Sequence, residues 1–246
     1  MKKILIGIEG LDEMLNGGIP EGRCYLISGG PGSGKTTLAM QFLVYGAEKN
    51  NENGLYISLE ERPKLLIENM SQFGWKLEKL QKENKLLIVD ASPIRTIPGK
   101  VSLGELTVGK REFSLRTLIE IIKNNATNLN AKRIVVDPIT TFMFQYPDIS
   151  ERRNAILDLI GALTELKATS VITTESRTTL EREIQAEEFL AHGVISLHTI
   201  IRNGIKSKGI EIEKMRGIAH DEQIRPYEIL ENGITVYSKE KTGQTK

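Results

Sequence analysis

The sequence predicts an α/β fold with a mainly parallel, twisted sheet flanked by helices. Short apolar runs alternate with longer segments of helical period, the pattern of successive βαβ units. One such unit carries the run Gly29-Gly30-Pro31-Gly32-Ser33-Gly34-Lys35-Thr36-Thr37, which matches G-x-x-x-x-G-K-[ST] between an apolar stretch and a helical one. At 246 residues, with no Pro/Gly/Ser-rich linker dividing it, the chain is expected to build one large core.

The expected strands are Cys24 to Ser28, Gly54 to Leu59, Lys85 to Val89, Arg133 to Val136 and Ser170 to Thr173. Between them lie helical segments at Thr36 to Lys49, Pro63 to Phe73, Ser114 to Asn124 and Ser150 to Leu166, with Ser150 as a partial cap. In the first helix, Leu38, Phe42, Val44 and Tyr45 repeat at a spacing that packs on a sheet. Ser92 to Glu112 has prolines, glycines and mixed charge without a steady period, and reads as a weakly structured surface excursion. Beyond Leu180, short strands are expected at Gly193 to Leu197, Ile200 to Asn203 and Gly209 to Met215. Asn203-Gly204 offers one hairpin turn, and Asn232-Gly233 another before Ile234 to Tyr237. Residues 1–238 then form a single domain, and 239–246 a frayed polar tail.

Composition narrows the function. With 33 Lys+Arg against 32 Asp+Glu, no global field draws the chain to DNA or an anionic membrane. Met1-Lys2-Lys3 leads straight into a short strand, and the apolar runs fall well below membrane-spanning length, so a soluble cytoplasmic protein is expected. The single cysteine, Cys24, reads as a small buried hydrophobe.

The glycine-rich loop is a nucleoside-triphosphate site. Its glycines let backbone N–H groups turn toward phosphate, the following helix offers its positive end, and Lys35 supplies a mobile charge for the β and γ oxygens. Thr36 places a hydroxyl where Mg²⁺ binds. Arg133 to Asp137 is a buried strand ending in a carboxylate, the arrangement that reaches the same metal through water, although Asp137-Pro138 could also simply open a turn. Tyr56 to Glu61 ends in two more carboxylates. Glu60 and Glu61 are candidates for the base that orients water on the γ-phosphate, the lesser alternative being that they favour the N-terminus of the helix at Pro63 through its dipole. Val171 to Glu175 is a third polar strand end, fit to sense a γ-phosphate or merely to cap. Lys214 and Arg216 alternate around Met215 and project from one face of a strand, either as arginine-finger groups for a neighbour's phosphate or as a solvated edge. His192, His198 and His220 show no metal-ligand spacing.

These blocks, in this order, resemble the KaiC-type domains of the RecA/RadA ATPase superfamily. The resemblance rests on Gly7 to Gly22 before the loop, Ser58-Leu59-Glu60-Glu61-Arg62-Pro63, Phe73-Gly74-Trp75, Asp90-Ala91-Ser92-Pro93, Thr173-Thr174-Glu175, and Lys214-Met215-Arg216-Gly217 leading to His220. It implies a RecA-like core assembled as a homo-oligomeric ring, usually a hexamer, with ATP and Mg²⁺ between subunits. It further implies Glu60 and Glu61 as paired catalytic carboxylates, Asp137 as the Walker B acid, Lys214 and Arg216 reaching the neighbour's γ-phosphate, and Glu231 near the nucleoside. An unidentified protein partner is compatible with this reading.

The chain carries one such unit where KaiC joins two, and Glu187-Glu188-Phe189 stands where the autophosphorylating half carries Ser-Thr, which argues against autokinase activity. Ile218 replaces a frequent Ser or Thr. A recombinase reading meets an acidic segment: Thr178 to Phe189, the stretch expected to line a pore, sets Glu181, Glu183, Glu187 and Glu188 against Arg182 alone, and phosphate backbones favour cationic channels.

Overall fold

The computed structural model describes residues 1–92, 101–103, 106–108, 110–146, 148–175, 186–202 and 205–240, with the backbone alone at 101–103, 106–108, 110–114, 186, 202 and 205. The N-terminal half carries β1 (Lys3–Ile4), α1 (Glu9–Met14), β2 (Ile19–Pro20), β3 (Cys24–Gly29), α2 (Lys35–Lys49), β4 (Gly54–Ser58), α3 (Pro63–Ser71), α4 (Leu77–Lys82) and β5 (Leu86–Asp90). There follow β6 (Val101–Leu103), β7 (Leu106–Val108), α5 (Lys110–Leu129), β8 (Arg133–Asp137), α6 (Ile139–Met143), α7 (Ile149–Glu165) and β9 (Thr169–Glu175). The chain closes with α8 (Ala186–Leu190), β10 (Gly193–Arg202), β11 (Ile205–Met215), β12 (Arg225–Leu230) and β13 (Gly233–Val236).

The main sheet has the order β13-β12-β11-β10-β3-β9-β8-β4-β5. From β10 to β5 all neighbours run parallel, and β11, β12 and β13 extend the sheet antiparallel. Every residue of β3, β4 and β8 is buried, as expected for strands covered on both faces by crossover helices. The alternation of side chains divides the core in two. Tyr25, Ile27, Tyr56 and Val135 pack with α1 to α4, whereas Leu26, Ile57, Ile134 and Val136 pack with α5 to α7.

Two buried polar groups hold the first of these layers. Asp12 accepts from the backbone of Ile6 at 2.7 Å and Gly7 at 2.9 Å, pinning α1 to the entering chain. Arg133, fully buried at the start of β8, donates to Glu52 at 2.7 Å and to the Phe42 carbonyl at 2.9 Å, with its guanidinium 4.5 Å from the centre of the Phe42 ring. Gly46 makes room for it: a Cβ there would lie 2.3 Å from Arg133 Nε.

Several local expectations change. Asp148, not Ser150, caps α7, because its carboxylate accepts from the N–H of both Ser150 and Glu151 at 2.9 Å while Ser150 already lies inside the helix. The excursion from Ser92 contains an antiparallel pair, β6 with β7, and α5 begins at Lys110, before Ser114. The strands expected at Gly193 to Leu197 and Ile200 to Asn203 are one, β10, because pairing with β11 along its whole length overrides the weak period at His198 and Thr199. The Asn203-Gly204 turn lies outside the described residues. Lys239 and Glu240 continue an ordered turn, where the Glu240 carbonyl accepts from Arg225 at 2.9 Å, and 241–246 lie outside the description.

Candidate nucleotide-binding site

The C-terminal ends of the parallel strands share one edge of the sheet, where ligands of open α/β sheets bind. There β3 runs into the loop of Gly29, Gly30, Pro31, Gly32, Ser33 and Gly34, and α2 begins at Lys35. Gly32 and Gly34 have φ of +70° and +96°, a left-handed backbone that a side chain rarely adopts, and Gly30 and Gly32 face open space. The Ser33 hydroxyl is buried beneath the loop with no hydrogen-bond partner among the described residues. Thr37 is buried on the first turn of α2. Lys35 Nζ donates to the carbonyls of Gly29 at 2.8 Å and Gly30 at 3.1 Å. Burial lowers its pKa, and the carboxylates of Glu175, Asp137 and Glu60 oppose that shift.

Thr36 and Asp137 meet directly, Oγ1 donating to Oδ2 across 2.9 Å. Asp137 also accepts from the hydroxyls of Tyr56 and Thr173, so hydroxyls from three elements surround a nearly buried carboxylate. Burial first, and then the Asp137 charge, push the Tyr56 phenol well above its usual range and keep it a donor. An oxygen-only pair of hydroxyl and carboxylate beside the phosphate loop fits Mg²⁺, which takes few protein ligands and keeps several waters. Bound there with a nucleotide, it would neutralise charge on the β and γ oxygens.

Glu60 and Glu61 follow β4, two strands beyond β9, on the same edge. Glu60 is exposed and accepts from Thr141 at 3.3 Å, while Glu61 accepts from Asn69 of α3 at 2.6 Å. Glu61 is thus tied to the helix that follows, while Glu60 is joined to α6 through Thr141. On β9, Thr174 lies 3.1 Å from Thr140, whose hydroxyl accepts from the Glu175 N–H at 2.8 Å.

Lys214 and Arg216 sit at the other end of the sheet. Lys214 pairs with Val194 and through it with Leu26, three residues before Gly29, or roughly 10 Å along the strand. The Arg216 N–H bonds the His192 carbonyl, placing Arg216 level with the start of β3. Lys214 donates to the carbonyls of Glu188 and Phe189 at 2.9 Å, and Arg216 to Phe189 at 3.0 Å. Both cations thus brace the end of α8, away from the phosphate loop of their own chain. Glu231 occupies the exposed turn between β12 and β13, and Ile229 of the same hairpin packs where a side chain at Gly34 would project.

Some site neighbours escaped sequence reasoning. Lys208 of β11 donates to the Gly32 carbonyl at 3.0 Å, and Tyr227 of β12 to the Ser33 carbonyl at 2.5 Å. Their only signal was polarity on a strand beyond the loop. Glu187 and Glu188, counted above among pore-lining acids, are buried at 3% and 8% exposure, because α8 packs them inward. Residues 178–185 of that segment lie outside the described residues.

A phosphate loop, an acid-tipped strand separated from it by one strand, and a second acid-tipped strand beyond define a P-loop nucleotide-binding protein with a RecA-like core. The particular family follows from comparison: a model described as "ATPase: KaiC" matches residues 4–241, and the chain belongs to that family. It is 37% identical over 239 residues to the circadian clock oscillator protein KaiC of a Picosynechococcus species, covering 96% of this chain and 45% of that protein. The chain thus spans about half the length of the clock proteins it matches. UPF0273 protein MJ1359 of Methanocaldococcus jannaschii is 35% identical, with 96% of this chain and 97% of that one covered. Among solved structures, KaiC-like protein PH0186 of Pyrococcus horikoshii superposes with a TM-score of 0.81 at 36% identity, over 96% and 99% of the two chains.

Proposed function

We propose that this chain hydrolyses ATP with Mg²⁺ as a homo-oligomeric ring, a hexamer by analogy with its family. Each site is completed by the neighbouring subunit, and the ring serves a regulatory or signalling role in the cytoplasm. Residues 1–238 act as one ATPase domain, followed by the polar segment 239–246, whose Glu240 carbonyl accepts from Arg225 of the domain. The observation that carries this reading is the Thr36–Asp137 contact beneath an open phosphate loop, with Lys214 and Arg216 displaced to the far end of the same sheet. Groups that cannot turn to their own loop are well placed to serve another copy's, as arginine fingers do. Glu60 orients the attacking water with Glu61 beside it, and Glu231 lies toward the nucleoside.

Autokinase activity is not part of the proposal. The position matching the phosphoacceptor pair holds Glu187 and Glu188, both buried carboxylates with no hydroxyl to phosphorylate. The deciding experiment is steady-state ATP turnover of the purified protein, with and without single-stranded DNA, beside Glu60→Gln/Glu61→Gln. Turnover without DNA that disappears in the double variant, while ATP still binds, is expected. Turnover that requires DNA points to a recombinase, and ATP binding with negligible turnover in the unaltered chain points to a nucleotide-gated scaffold.

A further inference from the structure

The hairpin of β10 and β11 brings together side chains that the sequence keeps apart. His198 Nε2 lies 2.8 Å from Glu211 Oε2, and one ligand atom from each of His198, Glu211 and Glu213 falls within 4.8 Å of the others. The register explains the cluster. Ser196 pairs with Glu211 and His198 with Gly209, so Ser196, His198 and Glu211 share a face. A register shift opposite Val194 and Ile195 inserts Glu213 as an extra residue of β11, and a bulge of this kind re-aims a side chain.

A second observation points to a ligand. Ser196, which projects from that face directly across from Glu211, is only 4% exposed, and its hydroxyl has no hydrogen-bond partner among the described residues. Ser28, its neighbour on β3, is 1% exposed, and its hydroxyl too has no partner among the described residues. Buried hydroxyls are normally satisfied, and two in line with a histidine and two carboxylates mark a place where bound water or an ion would supply what is missing. Two carboxylates held beside one imidazole also repel each other, a cost that a divalent cation removes.

We propose that His198, Glu211 and Glu213 bind a divalent transition-metal ion, with Zn²⁺ the best match. One imidazole nitrogen and two carboxylate oxygens suit zinc and its neighbours, whereas Mg²⁺ prefers oxygen alone. Metal–ligand bonds of about 2.0–2.2 Å draw the donor atoms together by an amount that glutamate rotamers accommodate. The Ser196 hydroxyl then bonds a metal-bound water or a ligating carboxylate. This site is distinct from the Thr36–Asp137 pair: β10 and β8 are three strands apart, or roughly 14 Å.

The test is calorimetric titration of the full, chelator-stripped chain with Zn²⁺ in excess Mg²⁺ and without nucleotide, repeated with Co²⁺ to read its visible absorption. One zinc per chain is expected in the unaltered protein, in Asp137→Asn and in His192→Ala. Binding should weaken at least about tenfold in both His198→Ala and Glu211→Gln, with loss of the cobalt spectrum. Thermal melts without metal establish that each variant is folded, and the near-isosteric Glu211→Gln carries the test if His198→Ala is not. Zinc uptake unchanged in the folded variants, or non-saturating uptake by the unaltered chain, overturns the proposal.

Discussion

The hydroxyl of Thr36, on the first turn of the helix after the phosphate loop, donates 2.9 Å to the carboxylate of Asp137 at the end of β8. This contact joins two strand–loop junctions 101 residues apart and sets a hydroxyl and a carboxylate that suit Mg²⁺ under the loop. Replacing Asp137 by Asn, or Thr36 by Ala, is therefore expected to lower Mg²⁺-dependent turnover by at least ~100-fold, the upper range for disturbing a metal's immediate surroundings. Binding of ATP without Mg²⁺ should stay within a few fold, because Lys35 and the loop amides are untouched. Nucleotide titrations with and without Mg²⁺, beside turnover, check the split.

Gly46 gives a stability test in which two effects oppose each other. Alanine in a helix interior is favoured over glycine by ~1 kcal/mol. At this position, however, its methyl would meet Arg133 at 2.3 Å, and Arg133 cannot swing away without leaving Glu52, the Phe42 carbonyl and the Phe42 ring. Disrupting a buried ion pair costs ~3–5 kcal/mol, so sterics should win and Gly46→Ala should destabilise by at least ~2 kcal/mol. Denaturant unfolding measures it, and a gain in stability would show that the helix makes room.

Glu187 predicts a pH dependence. Burial first, with the Glu188 charge adding to it, raises its pKa above the ordinary 4.5, against the pull of Arg152 and Thr174. A carboxyl with a raised folded-state value contributes stability that is fully present below 4.5 and lost as pH rises through the folded value. Glu187→Gln, neutral throughout, should therefore melt above the unaltered protein at pH 7 and match it in acid. About 1 kcal/mol corresponds to roughly 2–4 °C in a chain of this size. A melting difference that does not change with pH would remove Glu187 as its source.

The legible parts were those encoded locally. The loop from Gly29 to Thr37, the strand ending at Asp137 and the strand before Glu60 each carry their chemistry within a few residues, and the structure sets all three on one edge of a largely parallel sheet. What could not be read depends on pairing across the chain. Tyr56 was visible as a strand residue but not as the donor to Asp137, and Lys208 reaches Gly32 only because β11 lies beside β10. The burial of Glu187 and Glu188 ran against the polarity of their segment, since α8 is held inward through its carbonyls by Lys214 and Arg216. His198 had no neighbouring ligand in sequence because Glu211 and Glu213 arrive on the partner strand of a hairpin. Even the cap of α7 turned on spacing: Asp148 and Ser150 are both capping residues, and the one that stands outside the helix does the work.

In the proposed function, catalysis combines acids of one subunit with cations of the next. Glu60→Gln/Glu61→Gln and Lys214→Ala/Arg216→Ala should each abolish turnover when assembled alone. Mixed in equal amounts and allowed to exchange subunits, they should recover turnover at about a quarter of the unaltered rate, the share of head-to-tail interfaces in which intact acids face intact cations. Mixtures that stay inactive although mixed rings demonstrably form would contradict the shared site, and would return Lys214 and Arg216 to bracing α8 within their own chain.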